Sequence, residues 1–538
     1  MLFDHRISGT SPEADAGNRG HAADHGGTAL PAERVAAPRR TSERADRPLS
    51  PTGAAPTRAE ARVLPSPPAV DHQTACRLGE RLRDVGYSDE ELAQLRAPDV
   101  SDPESERAVL ARRVEPGSPL ATVIRLFHLN VNVEASEVQR ALAPLSLQAL
   151  LDGGLLETRA TSVRSRVHLV PLGSLLLASD AGDPMSKGPE FVAGATISTV
   201  ALLGHTLRRP GDRALDVGCG SGALSIAAAT HSNSVLATDA NPRACQFTRL
   251  NAALNGLDNV TCRVGNWFDP VRNELFDLVV CNPPFVISPD RDFLFRDAGL
   301  SGDEIARRMI TLGARHLRTE GFAQVMCNWL HQGEDWASPV REWADGLGCD
   351  VWTLRFASMD PVSYAVSWNS HLKEVDPAGF ESAVDRWVAY YRELNVDHIA
   401  SGLVVARRRP EETNWFRAAT LSGTPAGDPT DHLLRLFALP SQISDEALLD
   451  SRPRAPEGQR LEISQVAHAD GYRTERATVA CLPGLGLTGR IEPVALPLVA
   501  GCDGRHTVAE LIEQAGVAPG AALAAIRRLT ELGLVSLS

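Results

Sequence analysis

The chain lacks any uninterrupted apolar run of membrane-spanning length, and its N-terminus is polar where a signal peptide needs an apolar core. The expectation is a protein that is neither exported nor in contact with a membrane. Paired cysteines are also missing. Nine are scattered singly, and an odd number without metal-ligand spacing argues against a disulfide framework or a structural zinc site. A reducing cytoplasm and no metal are expected. Positive charge is in deficit, with 54 Lys and Arg against 67 Asp and Glu and a net charge of −13. Because phosphate binding depends on clustered cations, that balance disfavours a broad non-specific nucleic-acid surface, though not a local basic groove. Two clusters qualify, Arg159, Arg164 and Arg166 upstream and Arg407-Arg408-Arg409 downstream; the alternative for both is an ordinary solvated face. Finally, residues 1 to 70 are poor in large apolar side chains and rich in Ala, Pro, Arg, Ser and Gly. Such a tract cannot offset the entropy of ordering, so it reads as a disordered leader, or as translated upstream sequence.

What is present is concentrated in two motifs. The first, Ala214-Leu215-Asp216-Val217-Gly218-Cys219-Gly220-Ser221-Gly222-Ala223, runs an apolar strand into closely spaced glycines and then a small-residue helix. A doubly wound sheet brings backbone against a nucleotide-like ligand in this way. The third glycine comes too early for the dinucleotide fingerprint, and no lysine follows as a Walker-type phosphate loop requires. A second strand, Ser234 to Thr238, ends in Asp239 about 20 residues on, where a carboxylate accepts ribose hydroxyls. Asn241-Pro242 starts the next helix, and a third strand, Val260 to Val264, delivers Gly265-Asn266-Trp267-Phe268. Asn266 and Trp267 are candidates to grip an adenine, with plain core packing the alternative for Trp267.

The second motif, Asn282-Pro283-Pro284-Phe285, ends the apolar strand Phe276 to Cys281. Alone it would be a turn. After the glycine turn it resembles the catalytic motif of N-methyltransferases, which implies a nitrogen nucleophile whose lone pair is delocalised into a carbonyl or ring. The Asn282 side-chain oxygen and the Pro283 backbone oxygen each accept one N–H of an NH2 group, turning the lone pair outward. Phe285 stacks on the planar amide or base.

In this order the pieces resemble class I S-adenosylmethionine-dependent methyltransferases of the branch carrying an NPPY or NPPF motif. That branch includes release-factor glutamine methyltransferases, ribosomal RNA guanine-N2 methyltransferases of the "methyltransferase small" type, and adenine-N6 DNA methyltransferases. The resemblance covers roughly residues 190 to 335. It implies a cofactor site made of Asp216, Gly218, Gly220, Gly222, Asp239, Asn266, Trp267 and Asn282, and a catalytic motif of Asn282, Pro283, Pro284 and Phe285. Asn266 stands where the release-factor enzymes carry an aspartate, yet it keeps a carbonyl acceptor for the adenine amino group. The implied cofactor is S-adenosylmethionine, and the implied partner is a macromolecular methyl acceptor, a release factor or ribosomal RNA.

The fold class expected is α/β, a seven-stranded doubly wound Rossmann-like sheet with helical, winged-helix-like flanking modules. Residues 71–180 read as a helical N-terminal recognition domain, 181–410 as the methyltransferase domain with a lead-in helix over Phe191 to Leu207, 411–490 as a mixed strand and loop region, and 491–538 as a winged-helix-like module. Thr507 and Glu510 form a capping box at the start of the last helical pair. Protein glutamine is favoured as acceptor by Trp267-Phe268 and the acidic charge, with ribosomal RNA guanine the alternative. A non-catalytic methyltransferase-fold binding protein and a DNA-binding regulator are the readings from other classes. Oligomeric state is not readable from the sequence.

Overall fold

The computed structural model describes residues 64, 66–95, 103–182, 188–290, 300–409, 414–440 and 443–538. The leader up to residue 63 lies outside them. Residues 66–70, read from composition as part of that leader, are instead fixed: the Ala69 N–H donates to the Gly153 carbonyl at 2.8 Å and Arg166 donates to the Ser66 carbonyl at 2.8 Å.

An eight-stranded sheet organises the molecule. Its strands are β1 Arg213–Val217, β2 Ser234–Asp239, β3 Val260–Val264, β4 Phe276–Cys281, β5 Leu317–His331, β6 Cys349–Met359, β7 His398–Arg408 and β8 Phe416–Thr420. They lie in the order β8-β6-β7-β5-β4-β1-β2-β3. Only β7 runs antiparallel to its neighbours. Both faces are covered, as near-continuous apolar strands require. Along β4, Leu278 and Val280 enter one core while Phe276, Val279 and Cys281 enter the other.

Seven strands are expected, and the sheet has eight among the described residues. β8 falls inside the stretch assigned to mixed strand and loop. It pairs parallel to β6 from Val351↔Phe416 to Arg355↔Thr420, anchored where the Trp415 N–H donates to Asp350 Oδ1 at 3.1 Å. The lead-in helix is shorter than expected, Ile197–His205, because Thr196 caps it by accepting the Thr199 N–H.

The flanking elements share cores with the sheet layers. Helices His72–Asp84, Ala135–Leu142 and Leu147–Asp152 pack through Leu78, Val138 and Leu150 with Phe247 and Leu250 of the helix Pro242–Leu254. At the other end, Leu498, Leu511, Ile526 and Leu534 join Phe322, Trp352 and Leu403 of the sheet in one core. Thr507 and Glu510 form their capping box at the start of helix Val508–Ala515. Among the described residues, no helix is long and apolar enough to cross a membrane.

Phe437 is the hinge pin of that C-terminal contact. It is fully buried, meets Phe322 edge-on at 5.2 Å and lies 5.0 Å from Trp415. Truncating a buried aromatic costs about 3–5 kcal/mol. Phe437→Ala should therefore lower the urea midpoint sharply, whereas an unchanged midpoint would show that the C-terminal elements contribute nothing to the sheet's stability.

Candidate functional site

The site forms along the carboxyl edge of the sheet, where open α/β folds bind ligands. β1 and β4 are parallel neighbours with Val217 opposite Cys281, so the glycine turn and the Asn-Pro-Pro-Phe segment leave the sheet side by side. β2 and β3 flank them, with Asp239 opposite Val264. Asp216, Gly218, Gly220, Gly222, Asp239, Asn266, Trp267 and Asn282 therefore all lie on or beside one edge, as the sequence spacing requires.

The turn is tied down by its own backbone. The N–H groups of Gly218 and Cys219 both donate to the Thr238 carbonyl, at 2.8 and 3.0 Å. Gly222 has φ +85°, and a Cβ there would press into Thr248 at 2.8 Å, so glycine is required by both the turn and the close helix approach. Gly218 and Gly220 also have positive φ, yet a Cβ on either would meet no protein atom within 4 Å. The turn thus presents bare backbone to open space.

Two carboxylates sit beneath and beside it. Asp239 accepts the Gly220 N–H at 2.9 Å and the Asn241 N–H at 2.8 Å. Burial raises its pKa, while those two donors pull the other way. Asp216 is fully buried, with Oδ2 accepting from Ser225 Oγ at 2.5 Å and Oδ1 without a partner among the described residues. Desolvation, helped by the charge of Asp239, pushes its pKa up to about 7.

Asn266 is exposed and Trp267 half-buried against the core under β4. Trp267 has φ +46°, an unusual backbone state for a bulky residue, and its carbonyl accepts from Thr238 Oγ1 at 3.0 Å. Phe268 is buried and stacks on His316 at 4.7 Å, which makes it a core residue.

The carboxamide of Asn282 divides its two ends. Nδ2 donates to Ser198 Oγ and to Thr199 Oγ1, both at 3.2 Å, while Oδ1 is buried without a partner among the described residues. Phe285 is half-buried against the core under helix Ile197–His205. The chain after it is clamped by a helical insertion between β6 and β7, Pro361–Asn369 and Pro377–Glu393. Tyr364 Oη accepts the Ile287 N–H at 3.2 Å, Tyr391 Oη donates to the Ile287 carbonyl at 2.6 Å, and Asp290 accepts from Trp387 Nε1 at 2.7 Å and from Arg386.

Sequence reasoning missed Ser198, Thr199, Ser225, Tyr364 and Tyr391. Only the run Thr196-Ile197-Ser198-Thr199, hydroxyls crowded at a helix start, carried a local signal. The two candidate basic clusters lie elsewhere. Arg407 and Arg408 pair across from Phe322 and Cys349, at the opposite edge of the sheet. Arg407, Arg408 and Arg409 are engaged by the Phe437 carbonyl, the Leu347 carbonyl and Asp350, and Arg159, Arg164 and Arg166 by Glu157, Asn130 and the Ser66 carbonyl.

Residues 193–335 match the family model of the methyltransferase small domain, and residues 104–166 match a domain of unknown function, DUF7059. A release factor glutamine methyltransferase of Xylella fastidiosa is 36% identical over 139 residues, 24% of this chain and 50% of that protein. A ribosomal RNA small subunit methyltransferase C of Salmonella arizonae is 31% identical over 137 residues, 25% of this chain and 36% of that protein. A solved ribosomal protein L11 methylase from Lactobacillus delbrueckii aligns over 39% of this chain and 79% of its own, at 21% identity and TM-score 0.23. The chain spans half or less of the length of these two curated relatives.

The raised pKa of Asp216 has a signed consequence. Its neutral form is the one that the ligand-free fold favours, so the stability it contributes is complete below the ordinary value of 3.8 and is lost as pH rises through about 7. Thermal melts of ligand-free protein should show wild type losing ground to Asp216→Asn between about pH 4 and about pH 7, with little further change above that. Parallel curves would mean that the carboxyl stays ionised throughout.

Proposed function

We propose that this chain, whose residues 193–335 form a methyltransferase small domain, is an S-adenosylmethionine-dependent N-methyltransferase acting on a glutamine side-chain amide of a protein, with a release factor as the acceptor. The observation that carries the reading is the buried, unpartnered Oδ1 of Asn282 at the end of β4. A buried acceptor without a donor is costly, and an incoming NH2 group relieves that cost.

The residues present fit the cofactor. The bare turn at Gly218 and Gly220 leaves room that a side chain would fill, Asp239 would accept the ribose hydroxyls, Asn266 and Trp267 would border the adenine, and the free Oδ1 of Asp216 would accept a donor from the methionine end. When bound, S-adenosylmethionine supplies a methyl group already activated by its sulfonium. The chain's task is then positioning. Asn282 Oδ1 and the Pro283 carbonyl each take one N–H of the acceptor amide, turning the nitrogen lone pair toward the transfer direction, and Phe285 stacks on the amide plane. Pro284 keeps that backbone extended. The nitrogen gives up its proton to solvent after transfer, so no side-chain base is assigned.

Protein is favoured over RNA by the net charge of −13 and because Arg407 and Arg408, engaged by the Phe437 and Leu347 carbonyls, lie at the opposite edge of the sheet from the site. Of the two basic residues of the last helix, Arg527 is engaged by the Ile443 carbonyl at 2.5 Å and by Asp445 at 2.6 Å, which leaves exposed Arg528 as a single cation for a DNA-reading role of a winged-helix-like C-terminal module. The flanking modules are read as acceptor-docking elements, and the protein as cytoplasmic. Ribosomal RNA guanine remains the second reading, on the likeness to the methyltransferase C.

Incubation with labelled S-adenosylmethionine and either purified release factor or small ribosomal subunits decides between them. Label that is lost to protease and resists nuclease supports the proposal; the reverse supports RNA. In single-turnover transfer, Asn282→Ala should lose roughly 10²- to 10³-fold in rate, about 3–4 kcal/mol, with cofactor affinity kept. Asp239→Ala should instead weaken both S-adenosylmethionine and S-adenosylhomocysteine by calorimetry. Equal affinity in that variant removes the ribose assignment.

A further inference from the structure

We infer that Ser198 and Thr199 are positioning residues that fix which end of the Asn282 carboxamide faces the acceptor. The inference rests on the N-methyltransferase reading and concerns residues that the motif itself does not include. An asparagine amide is nearly symmetric in shape, so packing alone does not choose between its two orientations. In one, Oδ1 meets the acceptor's N–H donors. In the other, Nδ2 points its own donors at them and transfer geometry is lost.

Hydrogen counting favours the productive orientation. Thr196 Oγ1 lies 2.9 Å from both Ser198 Oγ and Thr199 Oγ1, and each of those lies 3.2 Å from Nδ2, which makes four polar contacts in one cluster. With Nδ2 facing the hydroxyls, two amide hydrogens and three hydroxyl hydrogens serve those four contacts, and each contact has a donor. With Oδ1 facing them, only three hydrogens serve four contacts, so one oxygen pair meets with no hydrogen between. Thr199 is 9% exposed, so water offers little relief to a pair that includes it, whereas the Thr196–Ser198 contact is open to solvent. Thr196 is itself held, accepting the Thr199 N–H at 3.3 Å as the cap of helix Ile197–His205. The fold therefore consumes both donors of Asn282 and reserves its acceptor.

Ser198→Ala with Thr199→Val removes both hydroxyls at nearly constant volume. Single-turnover methyl transfer to purified release factor should fall about tenfold, the equivalent of one or two hydrogen bonds. S-adenosylhomocysteine affinity should stay at the wild-type value, and the variant should remain folded at the assay temperature, with at most a small fall in melting temperature from the lost hydrogen bonds. Thr199→Ser, which restores a hydroxyl, should return most of the rate. The decisive arm combines the pair with Asn282→Ala: side chains that act through Asn282 lose their effect once it is gone. A double variant that transfers within about twofold of wild type, while Asn282→Ala alone is slow, overturns the positioning role and leaves the proposed function standing. An undiminished penalty in the Asn282→Ala background also overturns it. If wild type itself transfers no methyl group to protein or RNA, the function reading is what falls.

Discussion

The register between β1 and β4 is the constraint from which the rest follows. Val217 lies opposite Cys281, so the next residues on each chain, Gly218 and Asn282, emerge together. A slip of two residues would keep every side chain on its face of the sheet and still separate the turn from the motif by the rise of a strand pair. The buried, two-sided packing of the strands holds that register. Leu278 and Val280 are committed to one core and Val279 and Cys281 to the other, so a slide of one residue would turn each side chain to the wrong core.

On that frame the polar groups are divided by need. Asp216, Asp239 and Asn282 are all largely withdrawn from water, and each keeps capacity in hand: Asp216 has a free Oδ1, Asp239 has lone pairs beyond its two backbone donors, and Asn282 has a free Oδ1. Buried acceptors left open in this way cost stability; those of Asp216 and Asn282 lie at the edge where a ligand would satisfy them, and others, such as Asp212 Oδ2 and Asn328 Oδ1, lie elsewhere in the fold. The surrounding loops are stiffened to match. Tyr364 and Tyr391 grip the two backbone groups of Ile287 from separate helices, so the segment after Phe285 has little freedom to drift. Preorganisation of this kind is what a positioning mechanism demands.

The sequence made local features legible and hid the distant ones. β2, β3 and β4 match their apolar runs residue for residue, and the Thr507–Glu510 capping box is formed as its spacing suggests, because neighbours within a few residues determine both. The Asn282 partners escaped because Ser198 and Thr199 are 84 and 83 residues away and a hydroxyl pair has no pattern of its own. β8 escaped for a different reason. Phe-Arg-Ala-Ala-Thr is a short edge strand whose membership depends on Asp350 capturing the Trp415 N–H, a tertiary event. The basic clusters behave as the solvated-face alternative has it: Arg159 and Arg164 are exposed, and the guanidinium groups bond to nearby carbonyl, amide or carboxylate oxygens.

The central claim is that the acceptor oxygen of Asn282 is held open for an NH2 group. A crystal structure of the protein with S-adenosylhomocysteine and a glutamine-containing release-factor peptide tests it directly. The account predicts the glutamine amide nitrogen within hydrogen-bond distance of Asn282 Oδ1 and the Pro283 carbonyl, with Nδ2 still on Ser198 and Thr199. A complex in which Oδ1 turns to the hydroxyls, or in which the amide binds away from Asn282, would contradict it.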